Sequence, residues 1–198
     1  IIASGVSVLS SSLAVVDALL DTATAFYDRQ HFGHVFASVK RAPRHLLSRV
    51  HAIDGVQSVE ARVVALVTVD VAGFPEPIIG TFASVPANRR ASVNTLRIRS
   101  GRRPDPDAPY SVVLSEAFAS AHGLQPGDSL RALINGKKRS LAIVGTALSP
   151  EYVYAIGPGA LMPDPLRYGI GWLGQEALSA AFDLEGAFND LSLTVSRD

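Results

Sequence analysis

The chain has 198 residues, 47% hydrophobic and 18% charged, with eighteen basic side chains, eighteen acidic ones and no cysteine. That length supports one domain or two small lobes with a real core, and the composition is that of a folded chain. Zero net charge without a polybasic block gives no electrostatic footprint for nucleic acid, and the absence of thiols excludes disulfides, thiolate catalysis and Cys-based zinc sites.

Residues 1–16 carry no charge, and Asp17 is the first ionisable side chain. The stretch is shorter than the roughly 20 residues that span a bilayer. It also lacks the basic start and small-residue cleavage site of a signal peptide. It reads as the outer end of a transmembrane helix belonging to a longer protein, with a buried core helix as the other reading. Val6, Leu9, Leu13, Val16, Leu20, Ala23 and Tyr27 recur alternately three and four apart, which predicts one helix over about Ser4 to Tyr27. An isolated helix of this length is marginal in water. The seam therefore needs a cover: its own lobe, a second copy or a neighbouring transmembrane helix. Leu9, Leu13, Val16 and Leu20 are its candidate interface residues.

An extended segment, Phe32 to Val39, precedes a second helix predicted to begin at Pro43, bury Leu46, Leu47, Val50 and Ile53, and close at Gly55. From Val59 to Val71 every second residue is apolar, with Glu60, Arg62, Thr68 and Asp70 opposite, which predicts one long half-buried strand. Pro75 and Pro77 break it, and Ile78 to Val85 is expected to return antiparallel. From Leu96, a loop punctuated by Gly101, Pro104, Pro106 and Pro109 leads to a short strand, Tyr110 to Leu114. Ser115 then stands as N-cap of a helix to His122, closed by Gly123. Asn135-Gly136, between Ser129–Ile134 and Lys138–Val144, is a strong hairpin signal. The stretch from Pro150 to about Gly174 is rich in Gly, Pro and Tyr, with no regular element expected. A helix over Gln175 to Phe182 and a strand over Leu191 to Val195 end the chain.

Catalytic signals are weak. His31 and His34 have only Asp28 nearby, an incomplete zinc set, and an extended segment would point them to opposite faces. Ser115 and His122 are seven residues apart, about two helical turns, beyond hydrogen-bond reach. There is no nucleophile elbow, P-loop or dinucleotide fingerprint. Lys40, Arg41, Arg44 and Arg49 read as a solvated face, and Lys137-Lys138-Arg139 as protection of an exposed strand edge. Tyr152, Tyr154 and Trp172 are candidates for an interface, or for filling a gap between two lobes.

The run Gly101-Arg102-Arg103-Pro104, Val112-Val113-Leu114-Ser115-Glu116-Ala117, Gly123-Leu124, Pro126-Gly127-Asp128 and Leu141-Ala142-Ile143-Val144-Gly145 resembles the periplasmic core domain of MacB-like and FtsX-like ABC-transporter permeases. Leu46-Leu47 through Ile53-Asp54-Gly55-Val56-Gln57-Ser58-Val59 is similar to the segment of those proteins where a helix gives way to a long strand, and the uncharged start matches the outer end of their first transmembrane helix. The stretch Glu151 to Trp172 departs from MacB. The resemblance implies an α+β fold: a stalk-like helix over 1–27, a membrane-proximal mixed-sheet lobe from 28–96 and 150–198, and a smaller inserted α+β lobe from 97–149. It implies a non-catalytic role without cofactor or metal, coupling cytoplasmic ATP hydrolysis to movement or cargo handling at the extracytoplasmic face of the bacterial inner membrane. The implied partners are the rest of the permease with its flanking transmembrane helices, an ATPase subunit or domain, a second permease copy or paralogue, and a periplasmic adaptor or cargo, but no nucleic acid. Ile1 and Asp198 should then point the same way. A free-standing periplasmic binding module and an unrecognised hydrolase are the competing readings.

Overall fold

The computed structural model describes residues 2–86 and 90–196, with side chains from Ala14 onward. Ile1, Asp198 and the side chains of Leu9 and Leu13, on which the expectations of co-directed termini and an interface seam rest, lie outside the described residues. Helix α1 (Ile2–Arg29) runs for 28 residues, a rod of about 40 Å at 1.5 Å per residue. Val15, Val16, Leu19 and Leu20 on it are 51–64% exposed. No helix among the described residues is long and apolar enough to cross a membrane.

The strands form two sheets. In the first, β1 (Val35–Pro43) and β2 (Val56–Arg62) flank β10 (Ala187–Val195), all antiparallel. The second is mixed and takes β3 (Val64–Asp70), β4 (Ile78–Val85), β5 (Arg97–Gly101), β6 (Ser111–Ser115), β7 (Ser129–Ile134), β8 (Lys137–Leu148) and β9 (Tyr168–Gly174). Its order is β5-β8-β6-β9-β4-β3-β7, with β4–β9 and β6–β8 parallel. Because β7 also pairs with β8, six of the seven strands close into a ring, which removes most free edges. Phe82, Phe118, Val112, Leu114, Leu141 and Ile143 belong to the main core, covered by α3 (Glu116–Ala121) and α4 (Gln175–Ala181). A second cluster centres on Ile170, Trp172, Val113 and Ala83. This is the expected α+β class, and the seven-stranded sheet draws its strands from both sides of residues 97 and 149.

Several elements differ from the sequence reading. The strand expected from Val59 to Val71 is two, in different sheets. The chain crosses at Val63, whose N–H donates to Ser84 Oγ at 2.9 Å, while Asn189 pairs with both the N–H and the C=O of Val64 at 2.8 Å. Val59, Ala61, Val63, Val67, Val69 and Val71 are all buried, so the apolar period runs through the crossing. Pro43 ends β1 in extended conformation, and only a 3₁₀ turn and the five-residue α2 (Leu47–His51) follow. Ser115 makes no side-chain cap; its Oγ accepts from Ile170 N–H at 3.4 Å. The segment after Leu96 forms edge strand β5. The Asn135-Gly136 turn is as expected, with φ of 46° and 76°, the left-handed pair of a tight hairpin.

The largest difference is β9, placed between β6 and β4 where no strand was expected. Its glycines, which imitate a loop, are seats for aromatic rings: a Cβ on Gly169 would meet Phe118 at 2.7 Å, and one on Gly171 would overlap Phe82. Gly171→Ala is therefore expected to cost about 1–3 kcal/mol by overpacking. Urea unfolding would measure it, and Phe82→Leu in the same chain should recover part of the loss; an unchanged midpoint for Gly171→Ala would refute the seat.

Candidate functional site

Helix α1 ends in a built stop. His31 takes a left-handed φ of 50°, its N–H donates to Asp28 C=O at 3.1 Å, and Phe32 N–H reaches back to Tyr27 C=O at 3.0 Å. The Phe32 and Tyr27 rings meet at 5.0 Å. This is the Schellman arrangement with its hydrophobic contact. The carbonyls left over at the helix end bind the body of the protein: Gln30 C=O accepts from Thr95 N–H at 2.8 Å and His31 C=O from Asn94 N–H at 2.9 Å.

Asn94 is the connector. It is 5% exposed and itself left-handed, a conformation Asn tolerates better than most residues. Its Oδ1 accepts from Gly33 N–H at 2.9 Å, and its Nδ2 donates to Glu151 Oε2 at 3.1 Å. Glu151 in turn grips the guanidinium of Arg62, the last residue of β2, through Nη1 and Nη2, the latter at 2.9 Å. The same guanidinium donates through Nε to Asp190 of β10 at 2.9 Å and again through Nη2. Ser38 of β1 donates to the other oxygen of Asp190 at 3.4 Å. One cation thus joins the end of α1, the three-stranded sheet and the turn that follows β8.

The electrostatics follow from burial. Side-chain exposure is 7% for Arg62, 16% for Glu151 and 14% for Asp190. Burial by itself lowers the Arg62 pKa, but the hydrogen bond to Glu151 and the charges of Glu151 and Asp190 outweigh it, leaving the pKa raised and the cation locked on. Burial first, then the Glu151 charge, pushes the Tyr152 hydroxyl above the usual tyrosine range. Nearby, Glu60 is 1% exposed and its Oε2 accepts from Ser92 N–H and Oγ at 2.8 and 3.1 Å. Glu60 and Arg62, read from the alternation as a solvent face, are therefore buried and hydrogen-bonded. No sequence signal marked them, because Arg62 and its carboxylates are 89 and 128 residues apart.

The other candidates are dispersed. Trp172 is 2% exposed and packs with Tyr152 at 6.2 Å between ring centres, so these two fill a core, whereas Tyr154 is 69% exposed. Val16 and Leu20 face solvent on α1. His122 is wedged against Phe74 and Phe118 with its Nε2 at 3.0 Å from Leu166 C=O, and His34 Nδ1 accepts from Val195 N–H at 3.1 Å. Among the described residues no group of three His, Cys, Asp or Glu is placed to hold a metal.

Two measurements check the junction. Arg62→Met leaves two buried carboxylates uncompensated and should cost about 3–5 kcal/mol in urea unfolding, most of it recovered when Glu151→Gln and Asp190→Asn are added. Tyr152 has its folded pKa raised, so its contribution is fully present below the unfolded value of about 10 and is lost as pH rises beyond it. Unfolding free energies should fall above about pH 10, and less steeply in Tyr152→Phe. Equal slopes would contradict the assignment.

No family model matches the chain, and no curated protein matches it in sequence. Solved structures do. The periplasmic region of MacB from Actinobacillus actinomycetemcomitans aligns with 83% of this chain and 68% of its own, at 13% identity and TM-score 0.47. The extracellular domain of the noncanonic ABC-type transporter YknZ from Gram-positive bacteria aligns with 79% of this chain and 74% of its own, at 14% identity and TM-score 0.51. The chain has the fold of that extracellular transporter domain.

Proposed function

We propose that this chain is the extracytoplasmic domain of an ABC-transporter permease, acting as a non-catalytic relay between the membrane and a partner or cargo outside it. The observation that carries the reading is the Arg62 junction, which ties the end of a long, largely exposed helix to the three-stranded sheet and to the turn that follows β8 through directional, buried bonds. A displacement of α1 reaches β2, β10 and the Glu151 turn through the buried hydrogen bonds of Asn94. The likeness of fold to the YknZ domain supports the setting. In it, the uncharged start of α1 continues from a transmembrane helix, and Val16 and Leu20 meet a neighbouring helix of the permease or of a second copy or paralogue. A cytoplasmic ATPase drives the motion, and a periplasmic adaptor or cargo receives it.

The parent reading frame is the first test: transmembrane segments encoded on both sides support the proposal, and a frame encoding residues 1–198 alone overturns it. In the complete permease with its ATPase, reconstituted in lipid, Leu20→Asp should change ATP hydrolysis several-fold while leaving the melting temperature of the 198-residue chain nearly unchanged. Alanine at His31, His34, Ser115 or His122 should leave that hydrolysis within a few-fold of wild type. A collapse of activity in one of these variants that still folds would favour a catalytic reading instead.

A further inference from the structure

We propose that the free edge of β1 pairs antiparallel with the same edge of a second copy of this chain, joining two three-stranded sheets into one of six strands. Three strands, β1, β2 and β5, have a partner strand on one side only. Two of these edges are blunted. Along β2, Ser92 Oγ donates to Val59 C=O at 3.3 Å and Gln175 Nε2 to Ala61 C=O at 3.4 Å, so side chains from outside the sheet occupy its carbonyls. β5 carries the exposed Arg97 and Arg99, and charge on an edge guards it against pairing. β1 has neither protection over residues 35–39. This run is uncharged, and among the described residues no side chain bonds to its backbone. It pairs in regular register with residues 190–193 of β10 before the irregularity that follows Ser38. Val35, Phe36 and Val39 on it are exposed. A row of open backbone groups beside exposed apolar side chains is a ready edge for another strand.

The order of side chains along β1 suits its own copy. With a two-fold axis through Ala37, Val35 of each copy faces Val39 of the other, Ala37 faces its equivalent, and Phe36 faces Ser38. Lys40 and Arg41 then pass beyond the uncharged run of the partner, so no cation opposes a cation. Lys40 comes to stand opposite His34, which lines one cleft with Asp28. Asp28 has no cation within ion-pair distance among the described residues, so each end of the ladder sets an ammonium beside an uncommitted carboxylate. Other registers lose these matches. An axis through Ser38 would set Lys40 against Phe36 and Arg41 against Val35, and an axis through Phe36 would set Val39 against Gly33. The pairing requires nothing of a membrane, and in a membrane-anchored chain confinement would raise the effective concentration of the two edges.

Cross-linking and sedimentation of the 198-residue chain test this. The chain has no cysteine, so Ala37→Cys introduces a single thiol. Opposed residues of an antiparallel pair have Cα atoms roughly 4.5–5.5 Å apart, within reach of a disulfide. Under a mild oxidant Ala37→Cys should give a linked dimer in high yield. Val35→Cys and Val39→Cys should each link poorly alone and readily when mixed. Sedimentation velocity of the unaltered chain should show a monomer–dimer equilibrium below about 1 mM. Ala37→Lys and Ala37→Asp, at an exposed position, should each dimerise about tenfold more weakly or worse, and their equimolar mixture should recover the dimer. Leu20→Asp should leave the dimer intact. A chain that stays monomeric over this range would overturn the proposal. So would an Ala37→Cys yield no higher than that of Ser120→Cys on α3, or a dimer lost to Leu20→Asp and indifferent to Ala37→Lys.

Discussion

The fold depends on a buried cation that cannot stand alone. Arg62 is nearly removed from water, so its charge persists only because Glu151 and Asp190 occupy fixed positions around the guanidinium plane. Those positions are in turn set by β10 and by the turn after β8, and Glu151 is held further by Asn94, which also holds the end of α1. An apolar contact of the same area could slide or repack. A bidentate ion pair with its remaining lone pairs satisfied has one good geometry, so segments far apart in sequence are fixed against one another with an orientation as well as a distance.

Around that joint the two sheets are organised differently. The larger one closes on itself, which makes it a stiff body with its aromatic rings seated on the glycines of β9. The smaller one is open and three strands wide, and it adjoins the larger at the β2–β3 crossing, where Ser84 and Asn189 supply the hydrogen bonds that a continuous ladder would otherwise make. Side chains stand in for backbone at this point, and the Arg62 pairs lie beside it. The chain thus concentrates its polar, directional contacts where one body passes to the next.

Much of the local structure was legible in the sequence. The heptad seam marked α1, Asn135-Gly136 marked its hairpin, and the break at Pro75 and Pro77 marked the antiparallel return of Ile78–Val85 to β3. What failed was whatever depends on a distant neighbour. Period two in Val59–Val71 reports burial of one face but not a change of partner sheet at Val63. Gly169 and Gly171 resemble loop glycines until Phe118 and Phe82, remote in sequence, are brought over them. The junction was hidden for the same reason: an arginine and a glutamate on the polar side of a strand look solvated unless the loop carrying Ser92 and Asn94 is known to cover them. The ordered run of turn and strand motifs nevertheless led to the correct fold class.

The position of β10 also bears on the order in which the molecule can assemble. It is the central strand of the smaller sheet and the last strand of the chain, so β1 and β2 have no partner in that sheet until it arrives. Strands β3 to β9, by contrast, complete the larger sheet from within residues 64–174. Pairing of β1 with β10 spans nearly the whole sequence, and such long-range closure is slow compared with local contacts. During synthesis the closed ring can form while the N-terminal segments wait unpaired, with Arg62 lacking its second carboxylate. Docking of the final strand then completes the smaller sheet and supplies Asp190, the second carboxylate of the Arg62 junction.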